Sequence, residues 1–204
     1  MKTSKVMLVV LLFVTATLVA TGVASAQVIY GDTVLTDIPE QQREEFINSI
    51  KRKVESLQVY ITKISSKATD PKYKQELAES AVKLFESANN IVQISNARTG
   101  TVAQLPVRLY FLKLAGIKAE KVEITFYKGV RFETIRKGTD GYFYGTALMF
   151  QETAISKGDN LVSYKDRTVK RVNFKSKLEL MREGDEVVQI IETFLQDINV
   201  KETI

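Results

Sequence analysis

Two absences set the chemistry open to this chain. Its 204 residues contain no histidine and no cysteine. A Ser-His-Asp or Cys-His arrangement cannot be assembled. Ordinary zinc, copper and haem sites lose their usual ligands, so no metal and no cofactor is expected. There is no glycine-rich phosphate loop, and "KGTDG" (Lys137–Gly141) reads as a turn. Any acid-base work falls to Asp, Glu, Lys or Tyr, with proton affinities moved by burial.

Within those limits the stretch "DGYFYGTALMFQE" (Asp140–Glu152) is the most informative. As a strand it puts Tyr142, Tyr144, Thr146, Leu148 and Phe150 on one face, and Phe143, Gly145, Ala147, Met149 and Gln151 on the other. The second face has two readings. It is a core seam against helices, as apolar stripes at strand spacing usually are, or it is a pocket wall with Phe143, Gly145, Met149 and Gln151 at a ligand. Gly145 is the candidate bend. Gln151 carries the ligand argument, because an inward amide needs a partner.

Asp197 completes the ligand-binding set, since it sits late in a strand where Asp is disfavoured. Pairing with Arg108 or another base is its structural reading; service in a site is its functional one. Asp140, Asp159 and Asp185 read as turn residues, and no catalytic residue is assigned. The stripe Arg167, Lys170, Arg171, Lys175 and Lys177 reads as an exposed face guarding a sheet against edge pairing, in preference to a surface for an acidic partner.

The elements that must position these residues follow from periodicity. Phe46, Ile47, Ile50, Val54, Leu57, Ile61 and Ile64 recur at helical steps and predict a long helix to about Ser65, opened by Asp37 and Pro39. Asp70 and Pro71 start a second helix with Leu77, Ala81, Leu84, Phe85 and Ala88 on its apolar face. A short strand covers Ile91–Ser95. Leu105, Leu109 and Leu112, with Pro106 and Gly116 at the ends, predict a brief third helix. Strands follow at "KVEITFYKG", "VRFETIRKG", Tyr142 to about Ile155, "LVSYKDRT", Val169–Met181 and "VVQIIETFLQDINV". Val172, Phe174, Leu178 and Leu180 share a face. The last strand slips between Ile190 and Leu195, which suits a bulge. Segregated helices and strands make the fold α+β.

Residues 1–26 read as an export signal: Lys2 and Lys5, an apolar run from Val6, and the small-x-small site in "VASAQ". Cleavage near Ala26 leaves residues 27–38 as an extension and 39–204 as one domain, with no membrane anchor, in a periplasm or outside the cell. The formal net charge of +5 falls once the two signal lysines are removed. That small, interleaved excess gives no reason to expect nucleic acid.

The segments "AVKLFESANNIVQISN", "LPVRLYFLKLAG", "VEITFYKG", "GYFYGTALMFQETA", "VNFKSKLELMR" and "VVQIIETFLQDINV" resemble, in order and patterning, the nuclear-transport-factor-2-like superfamily, which includes ketosteroid isomerase and polyketide cyclases. The resemblance covers roughly Pro39 to Thr203. It implies a helical hairpin and a short third helix packed on a strongly bent antiparallel sheet, cone-like. It implies no single function, and the cyclase-type Asp/His pattern has no counterpart in a chain without histidine. The preferred expectation is an exported, non-catalytic binding or assembly module of the envelope, with a small-molecule pocket in the cone or an envelope protein as partner, and dimerisation through the outer face of the sheet as an option. One alternative is an isomerase- or hydrolase-like enzyme using Tyr and buried Asp or Glu, which a deep cavity holding two or more such groups would favour, at the expense of the binding module. The other is a structural envelope protein acting through its sheet surface, which a cone plugged by Phe143 and Met149 would favour.

Overall fold

The computed structural model describes residues 38, 40–96, 98–117, 121–157, 161–184 and 186–204. The expected export signal, together with Asp37, Pro39, Asp159 and Asp185, lies outside them. Among the described residues three helices and seven strands run in the order α1 (Glu40–Ser65), α2 (Pro71–Val82), β1 (Ile91–Asn96), β2 (Thr101–Pro106), α3 (Val107–Ala115), β3 (Lys121–Phe126), β4 (Arg131–Lys137), β5 (Phe143–Lys157), β6 (Leu161–Glu183) and β7 (Glu186–Thr203). The fold is α+β, with a strongly curved, unclosed sheet. Among the described residues no helix is long and apolar enough to cross a membrane.

The seven apolar residues predicted for α1 are all buried, and they form much of the core. Asp70 caps α2 as expected: its Oδ1 accepts from the amides of Lys72 (2.9 Å) and Tyr73 (3.3 Å). That helix stops at Val82, before Leu84, Phe85 and Ala88. Phe85 makes a parallel bridge to Leu195 instead. The face of α3 also differs from expectation. Val107, Phe111 and Leu114 are buried, while Leu109 and Leu112 are each 42% exposed. The i, i+4, i+7 set beginning at Val107 is the larger apolar surface, and Leu105 is left in β2. Strand β2, unforeseen because "TVAQL" looks like linker, closes a hairpin with β1 from Asn96↔Thr101 to Ile91↔Pro106.

The sheet order is β2-β1-β7-β6-β5-β3, with β4 also on β5. It is mixed where an antiparallel sheet was expected: β1 pairs with β7 in parallel at Val92↔Ile198. The reason is topological. β1 enters beside β7 directly from the helices, so its direction is set by them and not by a hairpin. β6 is one continuous strand of 23 residues across the break expected before Val169. The bulges of β7 lie opposite Val172/Phe174 and Val169/Lys170, which places the extra residues at Gln196–Asp197 and Lys201, after the 190–195 slip. β5 stops pairing at Phe143↔Ser176. Beyond that point the β6–β7 hairpin runs past its neighbour, and Leu180, on the same alternation as Val172 and Phe174, is 67% exposed.

Candidate functional site: a cavity at one end of the long strands

The inner face of the sheet is written in the register of β5 against β6. The inward cross-strand pairs are Phe143↔Ser176, Gly145↔Phe174, Ala147↔Val172, Met149↔Lys170, Gln151↔Thr168, Thr153↔Asp166 and Ile155↔Tyr164. The first three pairs are packed. Phe143 meets the ring of Phe46 edge-on at 5.0 Å. Phe174, with no exposed surface, lies across Gly145, and a Cβ at Gly145 would come within 2.4 Å of its ring and 2.3 Å of the Thr134 carbonyl. Glycine is therefore required there by close approach.

Past Met149 the helices no longer fill the bend. A cavity of about 750 Å³ opens between the sheet, the β1–β2 hairpin and α3. Ile94, Leu105, Leu114, Ile117, Ile124 and Ile155 give it an aliphatic wall. Gln151, Thr153, Tyr164, Asp166, Thr168 and Lys170 give it a polar floor. Tyr110 and Lys113 reach it from α3, and Arg98 from the hairpin loop.

Lys170 is only 6% exposed. Its Nζ donates to the Gln93 carbonyl oxygen at 2.6 Å, and no carboxylate pairs with it among the described residues. Burial pulls its ammonium from the usual 10.5 down to about 8, with Asp166 opposing. The Tyr164 hydroxyl donates to Asp166 Oδ2 at 2.6 Å. Asp166 is itself 6% exposed, and its buried Oδ1 has no hydrogen-bond partner. Burial pushes the Tyr110 phenol up to about 12. Ser95 and Thr168 hydroxyls lie 3.4 Å apart.

Of the five residues proposed from sequence, one reaches this cavity. Gln151 lines it and donates from Nε2 to Thr153 Oγ1 at 2.9 Å. Phe143 and Met149 belong to the core cluster, Met149 at 1% exposure, and Gly145 lies beneath Phe174. Asp197, at the β7 bulge, accepts from the Ile91 amide (2.8 Å) and from Asn90 Nδ2 (3.2 Å). It ties β7 to the start of β1. Its anticipated partner Arg108 pairs with Glu79 at 3.0 Å instead, because the bulge aims Asp197 at the backbone of β1. Asp140 behaves as a turn residue: it accepts from the Tyr142 amide (3.2 Å) and the Tyr144 hydroxyl (2.6 Å), and the Tyr144 bond holds its carboxyl below the usual range.

The basic stripe divides. Arg167, Arg171, Lys175 and Lys177 lie outward, paired with Glu152, Glu133, Glu86 and Glu179 at 2.8, 2.6, 2.8 and 2.6 Å. Lys170 does not belong with them: strand alternation turns it inward. Tyr164, Asp166 and Thr168 share its face and were missed. Part of the signal was present in "YKDRT", where Tyr164, Asp166 and Thr168 alternate with the cations Lys165 and Arg167; Lys170 follows on the same alternation. The outer face carries its own small cluster of Leu148, Phe150 and Val169. Tyr127 packs edge-on against Phe150 at 6.0 Å, with Lys128 over the Phe150 ring, so that cluster is already covered.

No protein-family model, curated protein or solved structure matches this chain.

Proposed function

We propose that the chain is an exported, non-catalytic binding module of the cell envelope that takes a small amphipathic ligand into the concave end of its sheet. The observation that carries the reading is the cavity of about 750 Å³, with aliphatic walls and a few polar groups converging on one side. Small-molecule sites are typically ~300–1,000 Å³ and built in this way. The order of helices and strands supports a cone of the nuclear-transport-factor-2-like kind. The pattern of residues 1–26 supports export.

A second reading, an isomerase-like enzyme, draws support from Tyr110, Tyr164 and Asp166 in one cavity. By residue count alone it would be preferred. The hydrogen bonds argue the other way. Tyr164 spends its proton on Asp166, Lys170 is held by a backbone carbonyl, and the raised Tyr110 is a poor acid near neutrality. Tyr164 and Asp166 are committed to each other more than to a reacting atom.

The test is a thermal-stability screen of the mature protein against amphipathic small molecules, with Gln151→Leu alongside. A bound ligand at 100 times its Kd stabilises by about 2.7 kcal/mol. A compound that raises Tm for wild type and much less for Gln151→Leu places the site at the cavity. Equal shifts in both proteins reject Gln151 as a contact. Turnover of any compound that binds would favour the enzyme.

A further inference from the structure

We infer that the ligand of this cavity is an anion: an amphipathic organic acid whose carboxylate sits at Lys170 and whose apolar body lies along the aliphatic wall. The inference rests on the pocket reading above and adds the charge class of the ligand.

The argument is a contrast within one strand. On the outer face of β6, Lys165, Arg167, Arg171, Lys175 and Lys177 each have a glutamate within salt-bridge distance. On the inner face, over the segment paired with β5, Lys170 is the one cation among the described residues; it has no glutamate in reach, although it is the most buried of the six. A charge left in low dielectric without a counter-ion is costly, and the lowered ammonium is the sign of that cost. Lysine carries three donors. One is used on Gln93, so two remain for a ligand oxygen.

The rest of the cavity adds to the same sign. Arg98 and Lys113 also line it, and neither has an ion-pair partner among the described residues. The one carboxylate is Asp166, and it already accepts from Tyr164. Across the sheet, Lys170 is opposed by Met149 on β5 and Val200 on β7, which do not titrate. The groups sharing its cavity are Asp166 and Tyr164 from β6, Tyr110 and Lys113 from α3, and Arg98. Three cations, Lys170 buried and Arg98 and Lys113 exposed, against one carboxylate leave a positive site, which a monoanion would neutralise in part. A cationic ligand would meet net repulsion, and a neutral one would leave the buried ammonium unpaired.

Two fluorescent probes with the same aromatic body separate charge from shape: 8-anilinonaphthalene-1-sulfonate and uncharged N-phenyl-1-naphthylamine. The mature protein should bind the anion at least ~10-fold more tightly, about 1.4 kcal/mol. Decanoate should displace it better than decanol. Affinity for the sulfonate should be level below pH about 8, where Lys170 is charged before the probe arrives. Above that pH binding must take up a proton, so Kd should rise by up to ~10-fold per pH unit. Lys170→Met should abolish the preference and the pH dependence; the wild-type pH series stands if that variant fails to fold. Equal affinity for both probes, level with pH and lowered together by Gln151→Leu, overturns the anion while leaving the pocket. Binding of neither probe, or binding that Gln151→Leu and Lys170→Met leave untouched, overturns the pocket itself.

Discussion

The two ends of the β5–β6 ladder share one backbone and differ in what covers them. At one end Phe143, Ala147, Val172 and Phe174 meet α1 and its neighbours and are all within 5% of full burial. At the other, Gln151, Thr153, Tyr164 and Thr168 look onto a cavity. Met149↔Lys170 is the boundary pair. The β5–β6 register runs through that pair unbroken, and only β7 bulges opposite Val169/Lys170; what changes along β5 and β6 is the residue types on one face. A sheet can therefore carry a core and a site on the same side, with the length of the covering helices deciding where one becomes the other.

The packed end should be the sensitive one. Phe174→Ala removes a fully buried ring that stands perpendicular to Phe132 at 6.1 Å and covers Gly145. Its expected cost is about 3–5 kcal/mol in chemical denaturation, from lost transfer energy and a cavity that rigid neighbours cannot refill. Ile155→Ala, which only widens an existing cavity, should cost about 1 kcal/mol or less. Comparable losses at the two positions would erase the distinction between the ends.

Gly145→Ala probes the same end by addition. The new methyl would stand 2.3 Å from a backbone oxygen of β4, which cannot swing away as a side chain can. Overpacking of this kind costs about 1–3 kcal/mol, read as a lower denaturation midpoint at unchanged slope. A neutral result would mean that β4 is free to shift, and that Gly145 is not fixed by close approach.

How far the sequence foretold this follows from where hydrophobicity is periodic. The face of α1, the Asp70 cap, and the split of Phe143, Ala147 and Met149 from Leu148 and Phe150 were all legible, because each lines a packed interface. The cavity was not. A strand that is polar toward a cavity and charged toward solvent has no apolar period, so "LVSYKDRT" reads as a strand separate from Val169–Met181, and Lys170 reads as surface. Gln151 was found because its apolar neighbours set its direction. The same logic explains the misplaced face of α3: Leu109 and Leu112 have helical spacing, but Val107 and Phe111 meet the core first.

The boundary pair gives the subtlest prediction. Folded Lys170 releases its proton near pH 8, whereas in the unfolded chain an ordinary lysine holds it to about 10.5. Between those values the unfolded state binds more protons, so deprotonation favours the folded state, and this group makes stability rise with pH by up to about 1.4 kcal/mol per unit. Other lysines and tyrosines titrate in the same range, so the measurement is a difference. Stability of wild type minus that of Lys170→Met, followed by urea denaturation from pH 7 to 10, should be level up to about pH 8 and then climb to the end of the series. Below pH 8 the Met variant should be the more stable protein, because it no longer buries an unpaired charge. A flat difference would place Lys170 in contact with water or a counter-charge, and would move the boundary between core and site one pair closer to Phe174.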